Sequence, residues 1–257
     1  MTATAELDTA SVTYSDIGEG LPMICLHGGM GVDARSLQVP GILDLERFGI
    51  RLIIPDQRGH GQSSTGTDTD YTHARWIADI GDVAKHVGLS RFALLGHSYG
   101  GFLALEYAVR WPESLTHLVL VGTSAGPVRA STRTFGSDTA LRKYFREMWP
   151  ILFAGENKHW ELFEAVGFHA APYNAAFGRE LPAYDLRDRI GAVDVPMLLI
   201  VGSKDAYLPH MDWLSSHAKQ ATLCVIEDVG HFPFVEAPDK FVTAVASFLT
   251  ERTPHVI

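Results

Sequence analysis

A serine hydroxyl is a poor nucleophile near neutral pH. It becomes a good one when a base, an acid that orients the base, and a site for the developing oxyanion are brought to it. The chain carries a candidate for each part. Gly96-His97-Ser98-Tyr99-Gly100 has the pattern of a sharp strand-to-helix turn, with small residues two before and two after the serine. Val201-Gly202-Ser203-Lys204-Asp205 offers a carboxylate, and Asp228-Val229-Gly230-His231 an imidazole. Leu26-His27-Gly28-Gly29-Met30-Gly31 offers glycines that let backbone N–H groups approach a substrate. The expected chemistry is attack of Ser98 on a carbonyl, with His231 as base, Asp205 as orienting acid, and the N–H groups of Gly29 and Tyr99 as oxyanion donors. Met30 is the alternative to Gly29.

The elements around these residues decide between competing choices. Gly122-Thr123-Ser124-Ala125-Gly126 repeats the serine pattern and also follows a strand-like run, His117 to Val121. After Ser98, however, Phe102, Leu103, Leu105 and Ala108 recur at helical spacing up to Trp111-Pro112. After Ser124, Pro127 to Arg133 shows no periodicity and reads as a loop. Ser98 is therefore the expected nucleophile, and Ser124 a strand-end residue near the pocket. Asp194 precedes its strand and falls at the wrong end of a sheet to be the acid. Asp228 reads as a turn residue capping local N–H groups.

Strand-like runs occupy Ser11–Tyr14, Met23–Leu26, Arg51–Pro55, Phe92–Leu95, His117–Val121, Met197–Val201 and Leu223–Ile226. Helical patterns fall at Ala34–Arg47, Thr72–Val87, Tyr99–Arg110, His210–His217 and Pro238–Thr250. This alternation predicts an α/β fold, a mostly parallel sheet with helices on both faces and reactive groups at the carboxyl ends of the strands. It breaks in an aromatic-rich stretch, where only Leu141–Phe153 and His159–Phe168 show weak helical periodicity. A helical cap inserted after a core strand is expected over 126–190, between core segments 1–125 and 191–257. Most of its aromatics pack the cap onto the core, and the rest line an apolar pocket. The residues assigned to substrate are Met30, Ser124, Trp149, Phe168, His169, Tyr173 and Phe232.

Together with Asp56-Gln57-Arg58-Gly59-His60-Gly61-Gln62-Ser63 and Gly230-His231-Phe232-Pro233, these motifs make the chain similar to the α/β-hydrolase superfamily, over nearly all of its length outside the cap. The order Ser98, Asp205, His231 is the order of that family's triad. His27-Gly28-Gly29 followed by Asp56-Gln57-Arg58-Gly59 resembles proline iminopeptidases. The remaining motifs resemble small esterases, enol-lactonases and carbon–carbon bond hydrolases equally. The resemblance implies a cofactor-free serine hydrolase of a carboxylic ester, lactone or thioester. Its alternatives are an iminopeptidase-like amidase, a carbon–carbon hydrolase, or a slow-turnover ligand receptor. Serine at position 98 disfavours the dehalogenases and epoxide hydrolases, whose nucleophile is aspartate. Glu161 and Glu164 are the cap carboxylates that an iminopeptidase would need for a substrate's amino terminus, although i,i+3 carboxylates commonly form a solvated helix face. His27 and His60 are expected to brace loops.

Composition narrows the partners to a small-molecule substrate. The 257 residues, 46% of them hydrophobic, can bury one large core. A net charge of −9 without a cluster of Lys or Arg argues against nucleic acid and anionic membrane. There is no secretory signal pattern and no apolar run of the ~20 residues that a membrane helix needs. Cys25 and Cys224 sit in apolar runs and read as reduced core thiols, which fits a cytoplasmic protein. No metal or nucleotide motif is present, so no metal and no cofactor are expected. Nothing in the sequence indicates a homo-oligomer.

Overall fold

A computed structural model describes residues 1–128 and 133–250. Eight strands, β1 (Thr2–Glu6), β2 (Ser11–Ile17), β3 (Leu21–Leu26), β4 (Ile50–Pro55), β5 (Phe92–His97), β6 (Leu115–Val121), β7 (Met197–Gly202) and β8 (Ala221–Ile226), form one sheet in the order β1-β2-β4-β3-β5-β6-β7-β8. Every pairing from β4 to β8 is parallel, while β1 with β2 and β2 with β4 are antiparallel. The register sets Leu26 opposite Gly96, His97 opposite Val121, and Gly202 opposite Ile226, so the carboxyl ends come out level.

Ten α-helices accompany the sheet among the described residues: α1 (Pro40–Leu43), α2 (His73–His86), α3 (Tyr99–Arg110), α4 (Asp138–Met148), α5 (Trp160–Ala165), α6 (Ala170–Ala175), α7 (Arg187–Ile190), α8 (Leu208–His217), α9 (Pro233–Glu236) and α10 (Pro238–Thr250). Side chains of the central strands alternate between two apolar layers. Ile24, Leu26 and Leu94 pack with Trp76, Ile80, Leu103 and Met211 of α2, α3 and α8. Met23, Cys25 and Leu95 pack with Ile42, Phe241 and Val245 of α1 and α10. Both faces are covered, which is why these strands read as continuous apolar runs. Each fully buried aliphatic side chain contributes about 1.5–3 kcal/mol. Local signals agree with the layers: Thr72 caps α2 by accepting a hydrogen bond from the Arg75 N–H, and Lys85 and His86 sit in its last turn.

Two regions differ from the sequence expectation. β1 was not expected; it is an edge strand in which only Ala5 is buried, so it lacks an apolar run. The single helix expected over Ala34–Arg47 is a 3₁₀ turn at Ala34–Leu37, the short α1, and a second 3₁₀ turn at Asp44–Phe48. Pro40 and Gly41 explain the break, and a side chain at position 41 would strike the Phe234 carbonyl. Between β6 and β7 the described chain contains no strand, only α4 to α7 and short turns. The two cysteines, on β3 and β8, are free. No helix among the described residues is long and apolar enough to cross a membrane.

Candidate active site

β3 and β5 are neighbours although β4 comes between them in the chain, so the winding reverses there. Open parallel sheets bind ligands in the crevice outside such a point. The loop after β3 carries Gly28 and Gly29; the turn after β5 carries Ser98. Ser98 has φ 52° and ψ −113°, a conformation that costs a residue with a Cβ about 1–3 kcal/mol. Its surroundings hold it: the Ser98 N–H donates to the Val121 carbonyl (2.8 Å), and the Gly101 N–H donates to the Ser98 carbonyl (2.9 Å). A Cβ at position 96 would strike the Gly100 carbonyl, and one at position 100 the Leu26 carbonyl. Tyr99 is the first residue of α3, so its N–H has no carbonyl one turn back to receive it.

The other two residues of the expected constellation meet from neighbouring strands. His231 Nδ1–H donates to Asp205 Oδ2 at 2.9 Å. A carboxylate only accepts, so the imidazole proton lies on Nδ1 and Nε2 is left as a base. Burial pushes the Asp205 carboxyl up. The adjacent His231, its hydrogen bond and the Tyr207 N–H (3.0 Å to Oδ1) outweigh burial and hold it below the ordinary carboxylate range. A further contact was not read from the sequence. His97, immediately before the serine, donates from Nε2 to the His231 carbonyl at 2.9 Å. Burial and the nearby His231 push the His97 imidazole down to about 3, so it stays neutral.

Three histidines, each accepting a backbone N–H, tie the Gly28–Gly31 loop, the segment 57–61 after β4 and the helical insertion together. Gly31 N–H donates to His60 Nε2 (2.7 Å), Gln57 N–H to His27 Nε2 (3.1 Å), and Gly61 N–H to His169 Nε2 (3.0 Å). His27 and His60 thus brace the loop as expected.

A cavity of about 290 Å³ separates the strand ends from the helical insertion. Ser98, His97, His231, Gly28 and Gly29 face it, so the structure brings the serine and the imidazole to one space. Ser98 Oγ makes no hydrogen bond among the described residues. Of the residues assigned to substrate, Trp149, Tyr173 and Phe232 line the cavity, and Met30, Ser124, Phe168 and His169 do not. Met30 is fully buried in the core. Ser124 is 2% exposed; its hydroxyl accepts from the Gly126 N–H (3.0 Å) and lies 3.1 Å from His210 Nδ1. The loop expected after it is non-helical through Val128, and its residues 129–132 lie outside the described ones. Phe168 packs on Phe145 and Phe163 and forms a β-bridge with Val32, while the His169 N–H donates to the Gly31 carbonyl (2.8 Å). Both fasten the insertion to the glycine loop.

The sequence reading missed Val32, Ser36, Tyr144 and Phe145 as lining residues, and also Met148, Leu152, Phe177 and Tyr207. A tyrosine two residues after Asp205 was a usable signal for the last. The two carboxylates that an iminopeptidase would need lie elsewhere. Glu164 pairs with Arg142 and Arg146, and Glu161 with His159 (3.3 Å), all away from the cavity. Asp194 accepts from Gln220 (2.6 Å) before β7. Asp228 is a turn residue at φ 58°, but its side chain pairs with Lys204 (3.5 Å) rather than capping N–H groups.

The profile of the alpha/beta hydrolase family matches residues 23–244. The chain belongs to that family. As a member it is a hydrolase, and its relatives span several reactions on one scaffold. It is 25% identical to a proline iminopeptidase of Saccharolobus solfataricus, over 93% of this chain and 87% of that protein. It is 30% identical to a 2-hydroxymuconate semialdehyde hydrolase of a Pseudomonas species, over 94% and 91%. Among solved structures, an esterase from Exiguobacterium antarcticum superposes with a TM-score of 0.79 at 26% identity, covering 97% of this chain and 99% of that one.

Proposed function

We propose that this hydrolase cleaves a carboxylic ester, lactone or thioester of an uncharged, fairly apolar small molecule through an acyl-enzyme. The observation that carries the reading is the strained Ser98 turn facing the same cavity as a His231 imidazole whose Nδ1–H is held by Asp205 at 2.9 Å. Ser98 attacks the carbonyl, and His231 Nε2 takes the proton and returns it to the departing alcohol or thiol. Asp205 keeps the tautomer and supports the imidazolium. The N–H groups of Tyr99 and Gly29 receive the oxyanion. Water activated by His231 then releases the acid and restores Ser98. The helices within 126–190 act as the cap that closes the cavity over the substrate and keeps bulk water from it.

The cavity wall supports an uncharged substrate. Among the described lining residues there is no Asp or Glu to pair with an amino terminus, and no Lys or Arg to pair with a carboxylate. The exposed ion pairs of Glu161 and Glu164 speak against the iminopeptidase-like alternative. The 30% identity to a semialdehyde hydrolase keeps carbon–carbon cleavage as the second reading. Parallel turnover of aryl esters, prolyl-arylamides and vinylogous diketones separates the three. The expected result is ester cleavage and fluorophosphonate labelling of Ser98, both abolished in Ser98→Ala; ester turnover by Ser98→Ala at the parent rate would overturn the reading.

A further inference from the structure

Tyr207 stands two residues beyond Asp205, in the turn that begins α8, and three of its groups bear on the site. Its N–H donates to Asp205 Oδ1 at 3.0 Å, leaving Oδ2 for His231. Its ring lies over the His231 imidazole with centroids 5.4 Å apart and planes 23° from parallel. On other sides the ring meets Phe102 (6.3 Å) and His210 (5.7 Å), so core and helix contacts hold it in place. Its hydroxyl has no hydrogen-bond partner among the described residues, and the side chain lines the cavity. A phenol in an apolar, partly buried space seeks a polar partner.

On the reading of Ser98 as an ester-cleaving nucleophile, the departing oxygen must come up to His231 to receive its proton. We infer that Tyr207 is the positioning residue of the base: it holds the imidazole plane by stacking, and its hydroxyl donates a hydrogen bond to the leaving-group side of the substrate. The two roles belong to different parts of one side chain and can be separated. Tyr207→Phe keeps the ring and removes the donor. It is expected to lower kcat/KM for alkyl esters by about 3–10-fold, the worth of one neutral hydrogen bond, and to lower it less for nitrophenyl esters, whose leaving group needs no proton. Tyr207→Leu removes the ring. It is expected to lower kcat for both ester classes by about 3–10-fold and to shift the acidic limb of the pH–rate profile.

The experiment is steady-state kinetics of wild type and both variants on an alkyl and a nitrophenyl ester from pH 5 to 9, after melting curves verify folding. Fluorophosphonate labelling is run on the same preparations. Tyr207→Phe behaving as wild type on every ester overturns the hydroxyl role, and does so even if the leucine variant does not fold. Folded Tyr207→Leu with unchanged kcat and pH profile overturns the positioning role. Failure of wild type to label at Ser98 would instead sink the ester reading itself.

Discussion

The two Gly-x-Ser-x-Gly segments are alike in pattern and opposite in structure. Ser98 has a left-handed backbone, a long helix beginning at the next residue, and a hydroxyl facing the cavity without a hydrogen bond among the described residues. Ser124 is followed by irregular chain and buried, with its hydroxyl engaged by the Gly126 N–H and His210. Ser98 shares its cavity with an imidazole backed by a carboxylate; among the described residues, the imidazole beside Ser124 has none. On the proposed reading, a nucleophile needs more than a tight turn. It needs a hydroxyl the fold leaves free and a base whose tautomer something else has set.

The sharpest test of this contrast is exchange of each hydroxyl for hydrogen. Ser98→Ala is expected to lower kcat by up to about 10⁶-fold, the scale at which a triad serine acts, while Ser124→Ala stays within about twofold. Comparable losses from the two would break the contrast. The partners come next. Asp205→Asn is expected to cost on the order of 10⁴ in kcat through the wrong imidazole tautomer, and His210→Ala at most about twofold. A heavy loss from His210→Ala would return Ser124 to contention.

Acid provides a third test, because the Ser98 side rests on buried neutral imidazoles. Burial is the first cause holding His27, His60, His97 and His169 below the ordinary 6.5. The unfolded chain then binds protons first, so these groups do not alter stability well above pH 6.5 and remove it as pH falls below that value. Each contributes at most about 1.4 kcal/mol per pH unit. Urea midpoints are expected to drop between pH 7.5 and 5.5; a flat profile would show that the loop histidines titrate freely. The smallest effect is on the other side. Ser124→Ala is expected to destabilise the fold by about 1–3 kcal/mol, since it strips the Gly126 N–H of its buried acceptor. Stability within error of wild type would mean that water or a shifted chain replaces the hydroxyl.

The parts legible in the sequence are those where one residue type has one explanation. Central strands covered on both faces are apolar runs, and Tyr99–Arg110 and Pro238–Thr250 occupy the expected spans. Ser98, Asp205 and His231 stood out because each follows its own strand. The cavity wall was not legible in this way. Phe145 lines the cavity and Phe168 packs behind it, yet the two are the same residue type in two equally weak periodic stretches. What separates them is a bridge from Phe168 to Val32, a contact more than a hundred residues away in the chain. β1 was missed because an edge strand with one buried alanine has no apolar signature.

The left-handed backbone at Ser98 has a consequence for anyone engineering this chain. Glycine adopts that conformation without the Cβ penalty, so Ser98→Gly is expected to melt at a higher temperature than the parent while lacking the hydroxyl. If Ser98 is the nucleophile as proposed, a variant library ranked by expression or heat resistance would promote a clone without activity, and only a turnover screen would discard it.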